Sequence, residues 1–185
     1  VPTSMECSQN ARTTVGGTQI PNGNAGFIYE NFEGIRLLDY VSADGTLTEA
    51  VSNPSVSTAN PSTVVGEYTR NGSAQFDIIR ANPTRGGLFG DISKYVSGEK
   101  VLKLDVYTDA PTGTPIYLQF EEQRSVSSFP VGRHSVYEAA TTTQNEWETL
   151  TFSLREELDT TLGDYQSNQL VILFDPDNLT NNTYY

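Results

Sequence analysis

The sequence predicts an all-β protein, a β-sandwich of antiparallel sheets. About ten short segments alternate apolar and polar residues, long loops rich in Gly, Pro and Asn separate them, and neither a βαβ alternation nor a repeat of fixed period occurs. Successive side chains of a strand point to opposite faces of the sheet, so an alternation of two residues is typical of a strand with one buried face. A chain of 185 residues suits one domain that buries a core without disulfide bonds.

The clearest alternation lies in residues 100–124. Leu102, Leu104 and Val106 form one apolar set and Ile116, Leu118 and Phe120 form another. The segment between them contains two prolines and a glycine, which favours a turn. The pattern therefore predicts an antiparallel hairpin with one face in the core and one face available to a ligand.

The other elements follow in chain order. Residues 1–26 lack an apolar period and are predicted to be a polar leader or linker, which leaves residues 27–185 as the β-sandwich domain. Further strands are predicted at residues 27–34, 35–41, 64–70, 74–80, 131–140, 147–154 and 170–174, with another beginning at residues 183–185. A tight turn is expected at Asp44-Gly45, polar loops at residues 53–62 and 82–87, and one helical turn at residues 91–96. Residues 155–163, with acidic residues near their start, are the best helix candidate.

Charge and composition exclude several classes of function. The chain carries 11 basic and 23 acidic residues, a net charge of −12, which repels nucleic acid and anionic lipid and disfavours sulfated or uronic polymers. Such a surface is compatible with neutral ligands and with calcium. No apolar run approaches the roughly 18 residues of a membrane span. The single cysteine, Cys7, excludes an internal disulfide framework.

The order of the segments resembles that of the calcium-bearing β-jelly-roll carbohydrate-binding modules, families four, sixteen and twenty-two and their relatives. The matching segments are residues 31–34 (NFEG), 51–54 (VSNP), 60–65 (NPSTVV), 101–107 (VLKLDVY), 145–152 (NEWETLTF), 170–175 (LVILFD) and 183–185 (TYY). The likeness covers roughly residues 27–185 and implies a jelly roll of the galactose-binding-domain-like type.

The resemblance also implies a structural calcium ion. In that family a Phe-Glu pair near the first strand contributes a carboxylate, and the match here is Glu33, with backbone carbonyls of nearby turns as further ligands. The family's other main acidic ligand follows the last strand, beyond Tyr185, so Glu33 is the one metal ligand that the resemblance assigns. The alternative interpretation of Glu33 is a solvated carboxylate at a strand edge.

Modules of this kind bind glycans through aromatic rings that stack on sugar rings, with amides and acids beside them. By alternation, the candidate ligand-binding residues are Tyr107, Tyr117, Gln119, Glu121, Arg124 and Tyr137. For binding at a loop tip, the candidates are Arg85, Phe89 and Phe129. A tyrosine on a strand is more often a packing partner than a ligand platform, and the same holds for Trp147, which is expected to pack in the sandwich.

Catalysis is not expected. A glycan hydrolase needs two carboxylates about 5 to 9 Å apart, and adjacent strand residues such as Glu121 and Glu122 face opposite ways. Glu146 and Glu148 share a face but lack the Glu-x-Asp-x-x-Glu pattern of jelly-roll glucanases. His134, the only histidine, is expected to be an ordinary surface residue, and no Gly-x-Ser-x-Gly motif accompanies it.

The sequence thus predicts a non-catalytic module that binds a neutral plant or algal polysaccharide of the β-glucan or xylan type. The expected context is a secreted polysaccharide-degrading or cell-surface protein of several domains, with the module itself monomeric, its export signal already removed, and no nucleic acid or membrane among its partners. The competing hypothesis is a structural spacer or adhesion module, and a weaker one is a hydrolase or lyase whose carboxylates converge in three dimensions beside Arg124, Arg133 or His134.

Overall fold

The computed structural model of the protein describes residues 27–185, so Cys7 and the predicted leader lie outside the described residues. The ten strands are β1 Leu38–Ala43, β2 Thr46–Ser52, β3 Val64–Thr69, β4 Ile78–Pro83, β5 Leu102–Val106, β6 Pro115–Glu121, β7 Arg133–Ala140, β8 Glu148–Glu157, β9 Gln169–Phe174 and β10 Thr183–Tyr184. The helix α1, Ser93–Val96, confirms the helical turn predicted at residues 91–96, and Thr84–Gly86 forms a 3-10 turn.

The strands form two antiparallel layers that share β8. The second half of β8 pairs with β7 and completes the order β1-β4-β9-β6-β7-β8, which we call the large sheet. The first half of β8 pairs with β5, and a bridge between Thr108 and Tyr184 connects β5 to β10-β3-β2. We call this second layer the small sheet. One long strand therefore passes from one sheet into the other, and the jelly-roll sandwich predicted from the sequence is confirmed.

The core lies between the two layers. Large-sheet residues such as Ile116, Phe120 and Phe174 pack against small-sheet residues such as Tyr68 and Tyr184. The rings of Phe174 and Tyr184 are stacked with centroids 4.2 Å apart. The alternation read from residues 102–106 and 116–120 thus assigns the buried face of each strand correctly.

Three predicted elements are wrong. β5 and β6 do not form a hairpin, because β5 pairs with β8 at the edge of the small sheet while β6 lies between β7 and β9 in the large sheet. Residues 155–163 form no helix, because β8 continues to Glu157. For these two elements the pairing partner is distant in sequence, and local patterns carry no information about it. Residues 27–34, predicted to be a strand, contribute only a single bridge between Glu30 and Arg36.

No helix among the residues that the structure describes is long and apolar enough to cross a membrane.

Candidate functional site

The outer face of the large sheet carries ordered rows of side chains. The strand registers align Ile78, Leu173, Tyr117, Glu138 and Ser153 in a first row and Arg80, Val171, Gln119, Val136 and Glu156 in a second. A third row contains Asp39, Asn82, Gln169, Glu121 and Arg133. These rows point away from the core because their neighbours on β6, Ile116, Leu118 and Phe120, are buried between the sheets. Tyr117, Gln119 and Glu121 therefore share the side of the sheet that faces away from the core, as the alternation predicts, but Gln119 and Glu121 are buried there, with 9% and 4% of their surface exposed.

An arginine orients Tyr117 in the first row. The Arg155 guanidinium lies over the Tyr117 ring, 4.8 Å from its centroid, and its Nη1 donates a hydrogen bond of 2.9 Å to the Tyr117 hydroxyl. The same nitrogen donates to Glu138 Oε2 at 2.6 Å. The ring of Tyr117 is half-buried. Its orientation is fixed before any ligand arrives, which lowers the entropy cost of binding.

Glu121 is the centre of the third row. Only 4% of it is exposed, its Oε1 accepts a hydrogen bond from Gln119 Nε2, and Arg133 Nε lies 3.4 Å from the same oxygen. Burial raises the pKa of the Glu121 carboxyl, while Arg133 and the Gln119 hydrogen bond act in the opposite direction. The third row therefore holds hydrogen-bond donors and acceptors in fixed positions, and the carboxyl group of Glu121 is largely shielded from water.

The loop after β6 adds an exposed ring to this end of the face. Phe129 is 67% exposed, and the Arg133 guanidinium lies 5.6 Å from its ring centroid. Arg133 thus contacts both Phe129 and Glu121, so a residue predicted for loop-tip binding and residues predicted for sheet-face binding belong to one surface. Arg124 is exposed in the same loop, where its backbone N–H donates to Glu122 Oε1 at 3.2 Å.

The other loop-tip candidates lie elsewhere. Phe89 is 8% exposed and packs on Phe120 in the core, so it is no ligand platform. Arg85 lies in the 3-10 turn Thr84–Gly86.

Positive and negative charges are nearly balanced on this face, although the chain as a whole is strongly negative. The three rows, together with Arg155, contain three arginines (Arg80, Arg133, Arg155) and four acidic residues (Asp39, Glu121, Glu138, Glu156), against a net charge of −12 for the protein. The excess negative charge therefore lies elsewhere, and this surface is suited to hydrogen bonding with neutral groups.

Tyr107 lies on the other sheet. It follows β5 directly and contacts Trp147 and Tyr185, with ring centroids 5.8 and 5.9 Å away and interplanar angles of 54° and 77°. Trp147 is 9% exposed, and its Nε1 donates to Asn53 Oδ1 at 3.0 Å, which confirms the predicted packing role of this tryptophan. The prediction that Tyr107 and Tyr117 share one face is wrong, because their strands belong to different sheets.

Tyr137 lies in the core. It is 2% exposed, its ring meets Phe120 edge-on, and its hydroxyl accepts a hydrogen bond from Ser135. Burial raises the pKa of its hydroxyl to about 12. Its neighbours Val136 and Glu138 lie on the outer face. The prediction that Tyr137 joins Tyr117 on that face is therefore wrong.

His134 is buried, not at the surface as expected. It is 4% exposed, with Nδ1 3.0 Å from Ser135 Oγ and Nε2 3.1 Å from Asp164 Oδ1. The three residues are connected like a catalytic triad, yet Ser135 is 0% exposed and its hydroxyl donates to Tyr137. The arrangement anchors the loop after β8 to β7.

Glu33 is exposed and holds two segments together. Its Oε1 accepts hydrogen bonds from Thr63 N, Thr63 Oγ1 and Val64 N at 2.7, 3.0 and 3.1 Å. These bonds, chiefly the one from the Thr63 backbone, lower the pKa of the carboxyl. Calcium would have to be bound through the other oxygen, Oε2. Among residues 27–185, no three His, Cys, Asp or Glu residues are grouped so that they could hold a metal ion.

Comparison of the sequence with known protein families found no match, and comparison with curated proteins found none. Comparison of the fold with solved structures found carbohydrate-binding modules. A family 11 module from Clostridium thermocellum in complex with a β-1,3-1,4-mixed-linked tetrasaccharide is 14% identical, with a TM-score of 0.50, over 84% of this chain and 88% of that one. The family 11 module of the cellulosomal cellulase Lic26A-Cel5E of the same organism is 13% identical, with a TM-score of 0.48, over 83% and 86%. The chain shares the β-sandwich jelly-roll fold of these modules.

Sequence reasoning missed two arginines of the face. Arg80 lies two residues after Ile78, and this spacing could have placed it beside Tyr117 had the register of β4 been known. Arg155 was not considered for this face because residues 155–163 were predicted to be a helix and not part of a strand.

Proposed function

We propose that the protein is a non-catalytic carbohydrate-binding module that binds a neutral glycan on the outer face of the large sheet. The observation that carries this proposal is the fixed arrangement of Tyr117, Arg155 and Glu138 beside Gln119 and Glu121 on one side of a jelly roll. A protein that only needed to fold would gain little from holding the exposed members of this set, Arg155 and Glu138, in one orientation at its surface.

Each part of the surface has a role in binding. A half-exposed tyrosine ring provides contact area with the C–H face of a sugar at low entropy cost. Arg80, Arg133 and Arg155 supply donors, and Glu121 and Glu138 supply acceptors, so that adjacent hydroxyl groups of a sugar can meet a donor and an acceptor side by side. Phe129 provides a second ring at the other end of the face.

A neutral glycan of the β-glucan or xylan type fits the charges best. The face carries three arginines and four acidic residues and is nearly neutral, whereas the whole chain repels polyanions. The solved module that shares the fold was described with a β-1,3-1,4-mixed-linked tetrasaccharide, which supports β-glucans as the first ligands to test.

The test is affinity electrophoresis in gels that contain laminarin, mixed-linkage glucan, xylan, xyloglucan or alginate, with and without a calcium chelator. We expect one neutral glycan to retard wild-type protein, Tyr117→Ala to abolish most of the retardation, and Tyr107→Ala, on the other sheet, to leave it unchanged. Unretarded migration in every gel would overturn the proposal.

A structural spacer or adhesion module is the second candidate. The observation that favours it is the packing of two predicted ligand tyrosines, Tyr137 in the core and Tyr107 between Trp147 and Tyr185.

A hydrolase or lyase finds less support, although Glu121 lies beside Arg133 as that hypothesis requires. Glu121 and Glu138 lie two rows apart, roughly 13 Å along the strands, which exceeds the separation that glycoside hydrolysis needs.

Calcium at Glu33, secretion, a monomeric state and attachment to a larger polysaccharide-degrading or cell-surface protein belong to the same proposal. For calcium, we expect the ion to raise the melting temperature of wild-type protein and to leave that of Glu33→Gln unchanged. An equal response of both proteins would show that Glu33 binds no calcium.

A further inference from the structure

A completely buried arginine lies next to the first row of the proposed glycan face. The side chain of Arg70 is 0% exposed, as is that of Asp77, which precedes Ile78 of that row. Arg70 Nε lies 3.8 Å from Asp77 Oδ2, and Nη1 lies 4.0 Å from Asp175 Oδ2, two residues after Leu173 of the same row. The guanidinium therefore sits at the end of β4 and β9 where the glycan face ends.

Arg70 binds two loops through their backbone oxygens. Its Nη1 donates to Asn178 O and Thr180 O, both at 3.1 Å, and to Thr180 Oγ1 at 2.6 Å. Its Nη2 donates to Ala74 O and Gln75 O at 3.2 and 3.5 Å. One side chain thus joins the loop before β4 to the loop after β9 through carbonyls and carboxylates, the kind of oxygen set that surrounds a metal ion in other proteins.

Each of these loops exposes a large apolar side chain. Phe76 is 55% exposed, directly after Gln75, and Leu179 is 66% exposed, between Asn178 and Thr180. The loops also contact each other, because Asp177 N donates to Gln75 O at 3.1 Å. The backbone beside both exposed side chains is therefore held by the buried guanidinium.

Packing of Phe76 does not explain why its loop is held so firmly. A buried guanidinium loses its water, so it stabilises the fold only when many oxygens replace that water. More than half of the Phe76 surface remains exposed, so the loop gains little from burying this ring. A rigid loop that displays an aromatic ring is, however, what low-entropy binding of a ligand requires.

We propose that Phe76 is a further glycan-contacting ring, which extends the binding face beyond Ile78 and Leu173, and that Arg70 is the residue that positions it. The inference rests on the proposed glycan-binding function. It adds subsites to the same surface, so that Phe76 contacts only those sugars of a longer chain that project past the first row.

The first test compares ligands of two lengths, a mixed-linkage β-glucan tetrasaccharide and the corresponding octasaccharide, by titration calorimetry. Phe76→Ala is expected to weaken octasaccharide binding about fivefold to tenfold and to leave tetrasaccharide binding unchanged. Val56→Ala, which shortens another exposed apolar side chain in a different loop, is the control and should change neither affinity. Equal affinity of wild type and Phe76→Ala for the octasaccharide, or an equal loss for both ligands, would overturn the proposal.

The second test concerns the positioning role. Arg70→Lys keeps the positive charge but cannot reach all of these oxygens. We expect faster amide hydrogen exchange at residues 74–77 and 178–180, the same octasaccharide-specific loss as in Phe76→Ala, and no additional loss in the double variant. Additive losses would show that Arg70 acts independently of Phe76.

The two proposals fail in different ways. Wild-type protein that binds neither oligosaccharide nor any polysaccharide would remove both. Wild-type binding that depends on Tyr117 but not on Phe76 would remove the second proposal alone.

Discussion

Two tyrosines on neighbouring strands of the large sheet have opposite environments. Tyr117 lies half-buried on the outer face under Arg155, and Tyr137 lies in the core against Phe120. Residue type and local alternation are the same for both, so they do not distinguish a tyrosine on the outer face from one in the core.

The first prediction separates the two tyrosines. Tyr137→Ala should lower the free energy of unfolding by about 3 to 5 kcal/mol, because it leaves a cavity beside Phe120. Tyr117→Ala should change it little and should weaken glycan binding by about tenfold, or ~1.4 kcal/mol. Urea unfolding and calorimetric titration measure the two effects. A large stability loss in Tyr117→Ala would indicate that this ring also packs.

The second prediction concerns Glu121, whose pKa is raised by burial above the ordinary value of about 4.5 for a glutamate. A carboxyl whose pKa is higher in the folded state stabilises the fold at low pH, and this contribution is lost as pH rises through the folded-state pKa. Wild-type protein should therefore gain stability relative to Glu121→Gln as pH falls from the raised pKa to about 4.5. Urea unfolding of both proteins across this range measures the gain. A stability difference between the two proteins that stays constant across this pH range would contradict the conclusion that burial raises the pKa of Glu121.

At the level of elements, β8 decides how the two sheets connect. Leu150 and Phe152 face the core where β8 pairs with β5, and Ser153 marks the start of its pairing with β7. The register shifts between Val136 and Tyr137, and the extra residue on β8, Arg155, reaches Tyr117 and Glu138. The irregularity of the strand thus supplies a residue of the candidate site.

The loop before β3 is anchored by one amide, and this gives a third prediction. Asn53 Oδ1 accepts from Trp147 Nε1, and Asn53 Nδ2 donates to Ser62 O at 2.8 Å. Asn53→Ala should cost about 1 to 3 kcal/mol because it leaves these partners unsatisfied, and should increase proteolysis within residues 53–62. Asn53→Asp, which keeps the acceptor for Trp147, should retain more stability than Asn53→Ala. If both variants lost the same stability, the loss would come from the Asn53 Nδ2 hydrogen bond alone.

At the level of the whole molecule, the net charge of −12 gives a fourth prediction. Repulsion between like charges destabilises the compact state and is screened at ionic strengths near 0.1 M, where the Debye length is about 10 Å. The melting temperature should rise when salt is added at pH 7, whereas affinity for a neutral glycan should not change. Thermal melts and calorimetry at two salt concentrations test both. Affinity that falls with added salt would indicate an ionic ligand.

The sequence alone predicts the all-β class, most of the strands and the buried face of β5 and β6, because these depend on an alternation that each segment carries within itself. It also identified Tyr117, Gln119 and Glu121 as one outward set, since they lie on a single strand. The tertiary structure alone decided which strands pair, and with that the separation of Tyr107 from Tyr117, the burial of Tyr137 and His134, and the contribution of Arg80, Arg155 and Phe76. Strand pairing depends on contacts between residues far apart in the chain, and no local pattern encodes them.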